Sequence, residues 1–387
     1  MDDQSRQTPP RQHGIVPPGK RSPRKSKTGR VLLIIFLLMV MLLCGGIASA
    51  YSSIQDNILT PLSSFVHQVS RGSNEPQTLP APDFGSISGR AWNILLLGSD
   101  NDGKFNFPAL LTQVMMIVHI DPDNNSVTLV SIPRDSWVYV PEVGGMHKID
   151  QAYFLGATQH NSFDDGIRLA RATVEQDYGI TIDRYAWVGL SGFASVIDTL
   201  GGVDIDVTHP IVDDTYPDDI GNSTDPFAYR RLYIAPGPQH LDGQQALEFV
   251  RSRHADLVGD IGRTNCQQAV LAALKKKLTL VNVVTNLTQL IKDLQGKVYT
   301  DLSPEEMLAF ANLGRALPDS AVQRLTLGAG AGKQDYGDYA NVFDPSAGAE
   351  QSVVIPNCAN IQSVMNRIFN LGDVQSCNVT GLSSISH

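Results

Sequence analysis

Asn93-Ile94-Leu95-Leu96-Leu97-Gly98-Ser99-Asp100 decides the fold. Ile94 to Leu97 is unbroken apolar sequence, and it stops at a Gly-Ser-Asp turn signal. A strand with one wet face alternates apolar and polar residues; a short continuous run bounded by turn residues is a strand buried on both faces. Val114–Ile120 (VMMIVHI) and Ser126–Ile132 (SVTLVSI) read the same way. The Asp121-Pro122-Asp123-Asn124-Asn125 stretch between them supplies a hairpin-type turn. Outward from this block, Asp164–Tyr178 has helical periodicity, Tyr185–Leu190 reads as strand, Gly192–Leu200 as helix and Gly202–Val207 as strand. Gln244–Arg251 and Asn265–Leu280 read as helices, and Ser303–Arg315 opens with the Ser-x-x-Glu capping pattern. Glycine-rich loops are expected over 328–349 and a last helix near Asn360–Phe369. Strands interleaved with helices imply a layered α/β domain.

The chain has 387 residues, 42% apolar and 18% charged, with four cysteines. That length and apolar content bury a full core and exclude low-complexity disorder for most of the chain. Length and cysteine count exclude a disulfide-framework miniprotein. A pI near 5.4 excludes a nucleic-acid binder driven by overall charge. The charge is split: residues 1–30 hold eight Lys/Arg and two acids, the remainder 22 basic and 37 acidic residues. Between the basic tail and the acidic bulk lies Val31–Ala50, with no charged residue. Roughly 20 apolar residues are what a helix needs to cross a bilayer core. Basic flanks stay in the cytoplasm, so the expectation is a single-pass cell-membrane protein, N-terminus in and main domain outside. Ala48-Ser49-Ala50 resembles a signal-peptidase site, which makes a cleaved signal peptide the rival; the long basic region favours the uncleaved anchor. Leu42-Leu43-Cys44-Gly45 loosely resembles a lipoprotein site, but Leu43 is bulky where a small residue is usual.

The expected layout is a disordered basic tail over 1–30, an anchor over 31–50 and an extracytoplasmic linker over 51–90. The folded domain is expected over 91–318, then a glycine-rich loop and C-terminal helical extension over 319–387. Cys358 and Cys377 are either a disulfide or two free thiols, which geometry decides.

The strongest chemical constellation is rich in arginine. Ser131-Ile132-Pro133-Arg134-Asp135 ends a strand; Arg251-x-Arg253 and Asp260-x-Gly262-Arg263 follow, with Gln267 one helical turn beyond Arg263. Arg134, Arg251, Arg253 and Arg263 in an acidic domain suit a polyanionic ligand, because guanidinium binds phosphate in a planar, bidentate way. Structural pairing with Asp135, Asp242, Asp256 and Asp260 accounts for the same residues equally well. Asp100 sits at the carboxyl end of the first buried strand, where α/β proteins place ligands. A hard oxygen there suits Mg²⁺ bridging phosphates; an Asx-turn is the plainer reading.

From Asn93 to about Leu280 the chain resembles the LytR-CpsA-Psr family of bacterial envelope proteins. NILLLGSD (93–100), VMMIVHIDP (114–122), VSIPRDSWVYVP (130–141), KIDQAYFLGA (148–157), GPQHLDGQQALEFVRSR (237–253) and DIGRTNCQQ (260–268) carry the resemblance. It implies a three-layer α/β/α sandwich around a central mixed sheet, preceded by one transmembrane helix. It also implies a membrane-anchored phosphotransferase that takes a glycopolymer from a polyprenyl-pyrophosphate carrier and joins it to peptidoglycan through a phosphodiester. By the same resemblance Arg134, Arg251, Arg253, Arg263 and Gln267 bind the pyrophosphate, and Asp100 and Gln113 face a magnesium ion. Asp135 and Asp260 either hold the arginines in place or accept the acceptor's proton, the supporting role being the preferred one.

The sequence departs from the family pattern in places that matter: Cys266 stands where an arginine is usual, and Lys148-Ile149-Asp150 where Lys-Ile-Asn is common. Where the pattern reads Arg-Ser/Thr-Asp-Thr, this chain has Leu111-Thr112-Gln113-Val114. An amide at 113 supplies no charge, so Mg²⁺ is expected to bind weakly. That departure keeps a second reading open: a non-catalytic member that binds polyprenyl-phosphate lipids or wall polymer.

Overall fold

The computed structural model describes residues 62–72, 87–100, 106–218, 225, 228–252, 266, 269–270, 273, 277, 289, 292–329, 335–344, 348–371 and 377. The expected basic tail, the expected anchor and most of the expected linker lie outside these residues. Among the described residues no helix is long and apolar enough to cross a membrane.

The three apolar runs form β1 (Trp92–Ser99), β2 (Thr112–Asp121) and β3 (Ser126–Ile132), antiparallel neighbours in that order. A small ribbon of β4 (Trp137–Tyr139) and β5 (Met146–Lys148) follows. Two helices come next, α1 (Gln151–His160) and α2 (Phe163–Tyr178), then β6 (Arg184–Gly189), which joins β1 in parallel. After α3 (Leu190–Thr199) come β7 (Val203–Val207), β8 (Ile211–Pro217), β9 (Tyr229–Ile234) and β10 (Gly237–Leu241), which pair as β7 with β10 and β8 with β9. Helix α4 (Gly243–Arg251) follows β10. Next, β11 (Val298–Thr300) pairs antiparallel to β6, α5 (Pro304–Ala316) intervenes, and β12 (Val322–Thr326) pairs parallel to β3. The hairpin of β13 (Gly337–Asp344) and β14 (Ala349–Pro356) leads into α6 (Cys358–Phe369). The central sheet is therefore six-stranded and mixed, ordered β11-β6-β1-β2-β3-β12.

Period-2 alternation sends successive side chains of the central strands into two different cores. Leu95, Leu97, Met115, Ile117, Val130, Ile132, Tyr185 and Trp187 enter one core, shared with α1, α2 and α6. Ile94, Met116, Val118, Val127, Leu129 and Ala186 enter the other, closed by Met307 and Phe310 of α5 and by Leu62 and Phe65. Helices thus cover both faces, as the unbroken apolar runs require. A third, smaller core joins α3, α4 and the β7–β10 ribbons, and Cys266, Val270 and Ala273 are buried in it at helical spacing.

Glycine sets the closest helix contact. A Cβ on Gly156 of α1 would lie 2.4 Å from the Asp165 carbonyl oxygen, and one on Gly166 of α2 would lie 2.6 Å from the Tyr153 ring. Each helix presents a bare backbone where the other is bulky. Helix starts follow their capping chemistry: Ser162 Oγ accepts from the Asp165 N–H, and Asp242–Gln245 and Ser303–Glu306 form reciprocal capping boxes.

The structure departs from the expected layout in four places. Residues 62–72 fall in the span read as linker, yet Leu62, Phe65 and Val69 are buried. Arg71 pairs with Glu175 of α2 at 2.9 Å, pinning this segment to the core. The central sheet runs past residue 318, because β12 completes its edge. The stretch read as glycine-rich loop contains β13, whose alternation is hidden by Gly337, Asp338 and Asn341. Helix α1 was not expected: Gly156 breaks its periodicity, and its buried residues are small or aromatic. Cys358 and Cys377 are joined in a disulfide, and Cys266 is buried in the third core.

Candidate functional site

Antiparallel pairing of β1, β2 and β3 brings the carboxyl ends of β1 and β3 and the amino end of β2 to one edge of the sheet. Asp100 follows β1 there and is buried. Its Oδ1 accepts the Leu111 N–H at 3.0 Å, and its Oδ2 accepts from Gln113 Nε2 at 2.9 Å. The Gln113 side-chain oxygen in turn accepts from the Arg134 guanidinium. Arg134 Nε lies 3.4 Å from Asp135 Oδ2, and Asp135 Oδ1 lies 2.7 Å from Lys148 Nζ. A continuous polar line, Asp100–Gln113–Arg134–Asp135–Lys148, therefore crosses the sheet edge. Arg134, Asp135 and Lys148 keep 20%, 32% and 15% of their side chains exposed, enough to meet a ligand from solvent.

Arg251 comes from a different core. Gly243 lets α4 approach α3, where a Cβ would lie 2.2 Å from the Ala194 carbonyl oxygen, and the Gly243 N–H donates to Asp198 Oδ1 at 2.7 Å. That contact fixes α4, and Arg251 is its last residue. Its guanidinium carbon stands 5.7 Å from the Tyr216 ring centroid. Burial raises the Asp100 carboxyl above its ordinary value; the N–H of Leu111, the amide of Gln113 and the charge of Arg251 partly oppose that. Two arginines from separate elements thus act on one carboxylate, Arg134 through Gln113 and Arg251 through its field.

Asp150 lies beneath this line and carries no expected role from the sequence. Its carbonyl accepts from the N–H and hydroxyl of Thr112, and its Oδ1 finds no hydrogen-bond partner among the described residues. Burial first, then the charge of Asp135, pushes its carboxyl up to about 7. Lys148 also carried no assigned role. Its place depends on the register Trp137↔Lys148, which no local pattern discloses. Arg253, Asp260, Arg263 and Gln267 lie outside the described residues.

The donors around Asp100 do not fit a magnesium site as placed. The Gln113 oxygen is taken by Arg134, its nitrogen faces Asp100, and both Asp100 oxygens already accept hydrogen bonds. Among the described residues no group of three or more His, Cys, Asp or Glu is arranged to hold a metal ion. What the arrangement does offer is two cations, Arg134 and Lys148, held by Asp135 at the edge of a sheet in which Leu97, Met115 and Ile132 are core.

The chain is similar to known proteins over most of its length. The LytR_cpsA_psr family profile matches residues 65–352. A Bacillus cereus protein named polyisoprenyl-teichoic acid–peptidoglycan teichoic acid transferase TagU is 29% identical over 279 residues, covering 72% of this chain and 81% of its own. A protein of the same name from Oceanobacillus iheyensis is 30% identical over 277 residues, covering 70% and 77%. The crystal structure of Bacillus subtilis TagV superposes with a TM-score of 0.52 at 21% identity, over 73% of this chain and 99% of that one. The matched span runs from the buried segment before β1 into β14 and so takes in the whole central sheet: the chain belongs to the LytR_cpsA_psr family.

Proposed function

We propose that this chain attaches a glycopolymer to peptidoglycan, taking it from a polyprenyl-pyrophosphate carrier on the outer side of the cell membrane. The observation that carries the reading is the hydrogen-bonded line Asp100–Gln113–Arg134–Asp135–Lys148 at the edge of a sheet with an apolar core. The names of the relatives support the polymer class and the acceptor. The disulfide supports an oxidising, extracytoplasmic setting. Val31–Ala50 supports a single membrane anchor.

In the proposed reaction an acceptor hydroxyl oxygen attacks the phosphorus next to the glycan. The new phosphodiester P–O bond forms as the bond to the bridging oxygen breaks, polyprenyl phosphate leaves with the electron pair, and the hydroxyl proton passes to the departing phosphate or to water. Phosphoryl transfer of this kind depends on positioning and on charge stabilisation at the transferring oxygens. Arg134, Arg251 and Lys148 supply positive charge at the site; Arg253, Arg263 and Gln267 are assigned to the same phosphates by their motif. Asp135 spends its two oxygens on Arg134 and Lys148, which makes it a support for cations rather than a base.

Gln113 favours the second reading, a member that binds polyprenyl-phosphate lipid or wall polymer without transfer. The test incubates the full-length protein in detergent with a polyprenyl-pyrophosphate glycan and peptidoglycan oligomers. Covalent transfer with release of polyprenyl phosphate is expected; tight lipid binding with no transfer selects the second reading. Arg134→Ala and Arg251→Ala are each expected to weaken pyrophosphate binding by roughly 1.5–3 kcal/mol, the scale of a charge-assisted hydrogen bond. Unchanged binding removes them from the site.

A further inference from the structure

Asp150 does none of the structural work expected of an aspartate in its place. It stands at the start of α1, yet its side chain does not cap that helix, and its own backbone is already helical. It is 5% exposed, and its Oδ1 finds no hydrogen-bond partner among the described residues. Its backbone, by contrast, is fully engaged. The Asp150 N–H donates to the Arg134 carbonyl at 3.2 Å, and the Asp150 carbonyl accepts from the Thr112 N–H at 3.2 Å and from Thr112 Oγ1 at 3.1 Å. The residue is thus stitched between the start of β2 and the turn after β3, inside the candidate site, with a carboxyl oxygen that nothing satisfies. Buried polar groups are ordinarily paired, so this one calls for an explanation.

The charges around it supply one. Four groups act on Asp150: Asp135 and Arg134 of the turn after β3, Lys148 of β5, and Asp100 after β1. Asp135 already holds both cations, Arg134 at 3.4 Å and Lys148 at 2.7 Å. Those two cations are balanced by Asp135 and Asp100, so an ionised Asp150 is surplus negative charge beside the cations of the proposed phosphate site. A pyrophosphate diester brings two further negative charges to the same place. Like charges crowded away from bulk water do not all stay ionised. We propose that Asp150 carries a proton whenever the pyrophosphate is bound, so that each donor molecule enters together with one proton from solvent. The inference rests on the proposed function and concerns the regulation of that same site by pH. Asp150 acts through the field of Arg134 and Lys148 rather than by touching the ligand, which makes it a positioning residue. In the free protein burial and the charge of Asp135 already push its carboxyl up to about 7. The sign follows: below that pH the proton is in place and affinity is level, and above it affinity falls as pH rises.

The test is calorimetry on the full-length protein in detergent micelles. The probe is farnesyl pyrophosphate bearing one N-acetylglucosamine on its terminal phosphate, a diester whose own charge is constant between about pH 6 and pH 8. Titrations in buffers of different ionisation enthalpy count the protons taken up on binding. Wild type is expected to take up about one proton per probe at about pH 8 and about none at about pH 6. Its affinity should fall about tenfold over that range, following the protonated fraction of one group titrating near 7. Asp150→Asn imitates the protonated carboxyl. It should take up no proton through this site, keep a level affinity, and bind the probe about tenfold more tightly than wild type at about pH 8. Every other titrating group, His147 of β5 included, is common to both proteins, so the difference between them reports on residue 150 alone. Asp150→Ser removes the carboxyl with a smaller side chain and should behave alike. Binding by wild type with no proton uptake overturns the inference without recourse to any variant, as does the same uptake in wild type and Asp150→Asn. Either result leaves the proposed function standing. Failure of the probe to bind at every pH overturns the proposed function, and the inference with it.

Discussion

The central strands and the peripheral ribbons solve the same problem in opposite ways. β1 has no exposed residue, and five of its eight positions are fully buried. β7 alternates strictly between buried and exposed, and β13 turns Tyr339 and Phe343 to solvent at 68% and 63% exposure. Along β1, β2 and β3 most side chains are held by a core on their own face, and Asp100 is fixed at their edge by hydrogen bonds from Leu111 and Gln113. In the ribbons only one face is held, and the other is open to polar and aromatic residues that nothing in the core dictates. The candidate site around Asp100 sits on the constrained region. Rigidity suits the placement of reacting atoms, and adaptable surface suits a long polymer.

If constraint is what separates the regions, substitutions should divide along the same line. The largest effect is expected at the α1–α2 contact. Gly156→Ala places a methyl 2.4 Å from a backbone oxygen, and the helices must part. A loss of about 2–3 kcal/mol by denaturant titration is expected for overpacking of this kind; a neutral outcome would mean the layer yields as a ribbon does.

Asp177 of α2 probes the same layer by pH. It is buried, neither carboxyl oxygen finds a partner among the described residues, and burial pushes it up to about 8. The folded form therefore binds this proton more tightly than the unfolded chain does. Its contribution is level below pH about 4, and stability falls as pH rises toward 8. Asp177→Asn should flatten that slope and stabilise the protein by about 2 kcal/mol at pH 8, a scale set by linkage and discounted for relaxation. Parallel wild-type and variant curves from pH 4 to 8 would show that the carboxyl is solvated.

At the site, Gln113→Asp restores a second carboxylate beside Asp100. Mg²⁺ affinity, read by calorimetry on the full-length protein, should rise by about tenfold, the effect of one added ligand charge. No change would detach residue 113 from metal binding. The smallest effect belongs to the ribbon: Tyr339→Ser should alter stability by no more than about 0.5 kcal/mol, as for exposed positions generally. A larger loss would show that the outer face of β13 is packed, and the contrast would fail.

The parts that were legible in the sequence are those where local pattern and burial agree. Unbroken runs announced β1 to β3, and Ser303-x-x-Glu306 announced the start of α5. Asp100 and Arg134 stood out because each ends a readable strand, and Arg251 because it ends a readable helix. Helix α1 was not legible, since it is buried through small residues that carry little periodic signal. The β13 strand was masked by turn-forming residues lying in a strand. Lys148 and Asp150 acquire meaning only from tertiary neighbours: Asp135 lies across the β4–β5 register, and Thr112 belongs to another strand. The direction of the Gln113 amide likewise follows from having Asp100 on one side and Arg134 on the other, which spacing along the chain does not encode.

The covalent link between Cys358 and Cys377 spans 19 positions and ties the start of α6 to a residue beyond its end. Ile361, Val364 and Met365 of that helix seal the face of the sheet that also holds Trp187 and Leu97. A closure of this length restricts the denatured chain by about 3 kcal/mol in the chain-entropy account. The final stabilisation of that face is thus conditional on oxidation: the protein reaches full sturdiness only in surroundings that accept electrons from its thiols, and a reductant acts as a selective solvent for one layer of the sandwich.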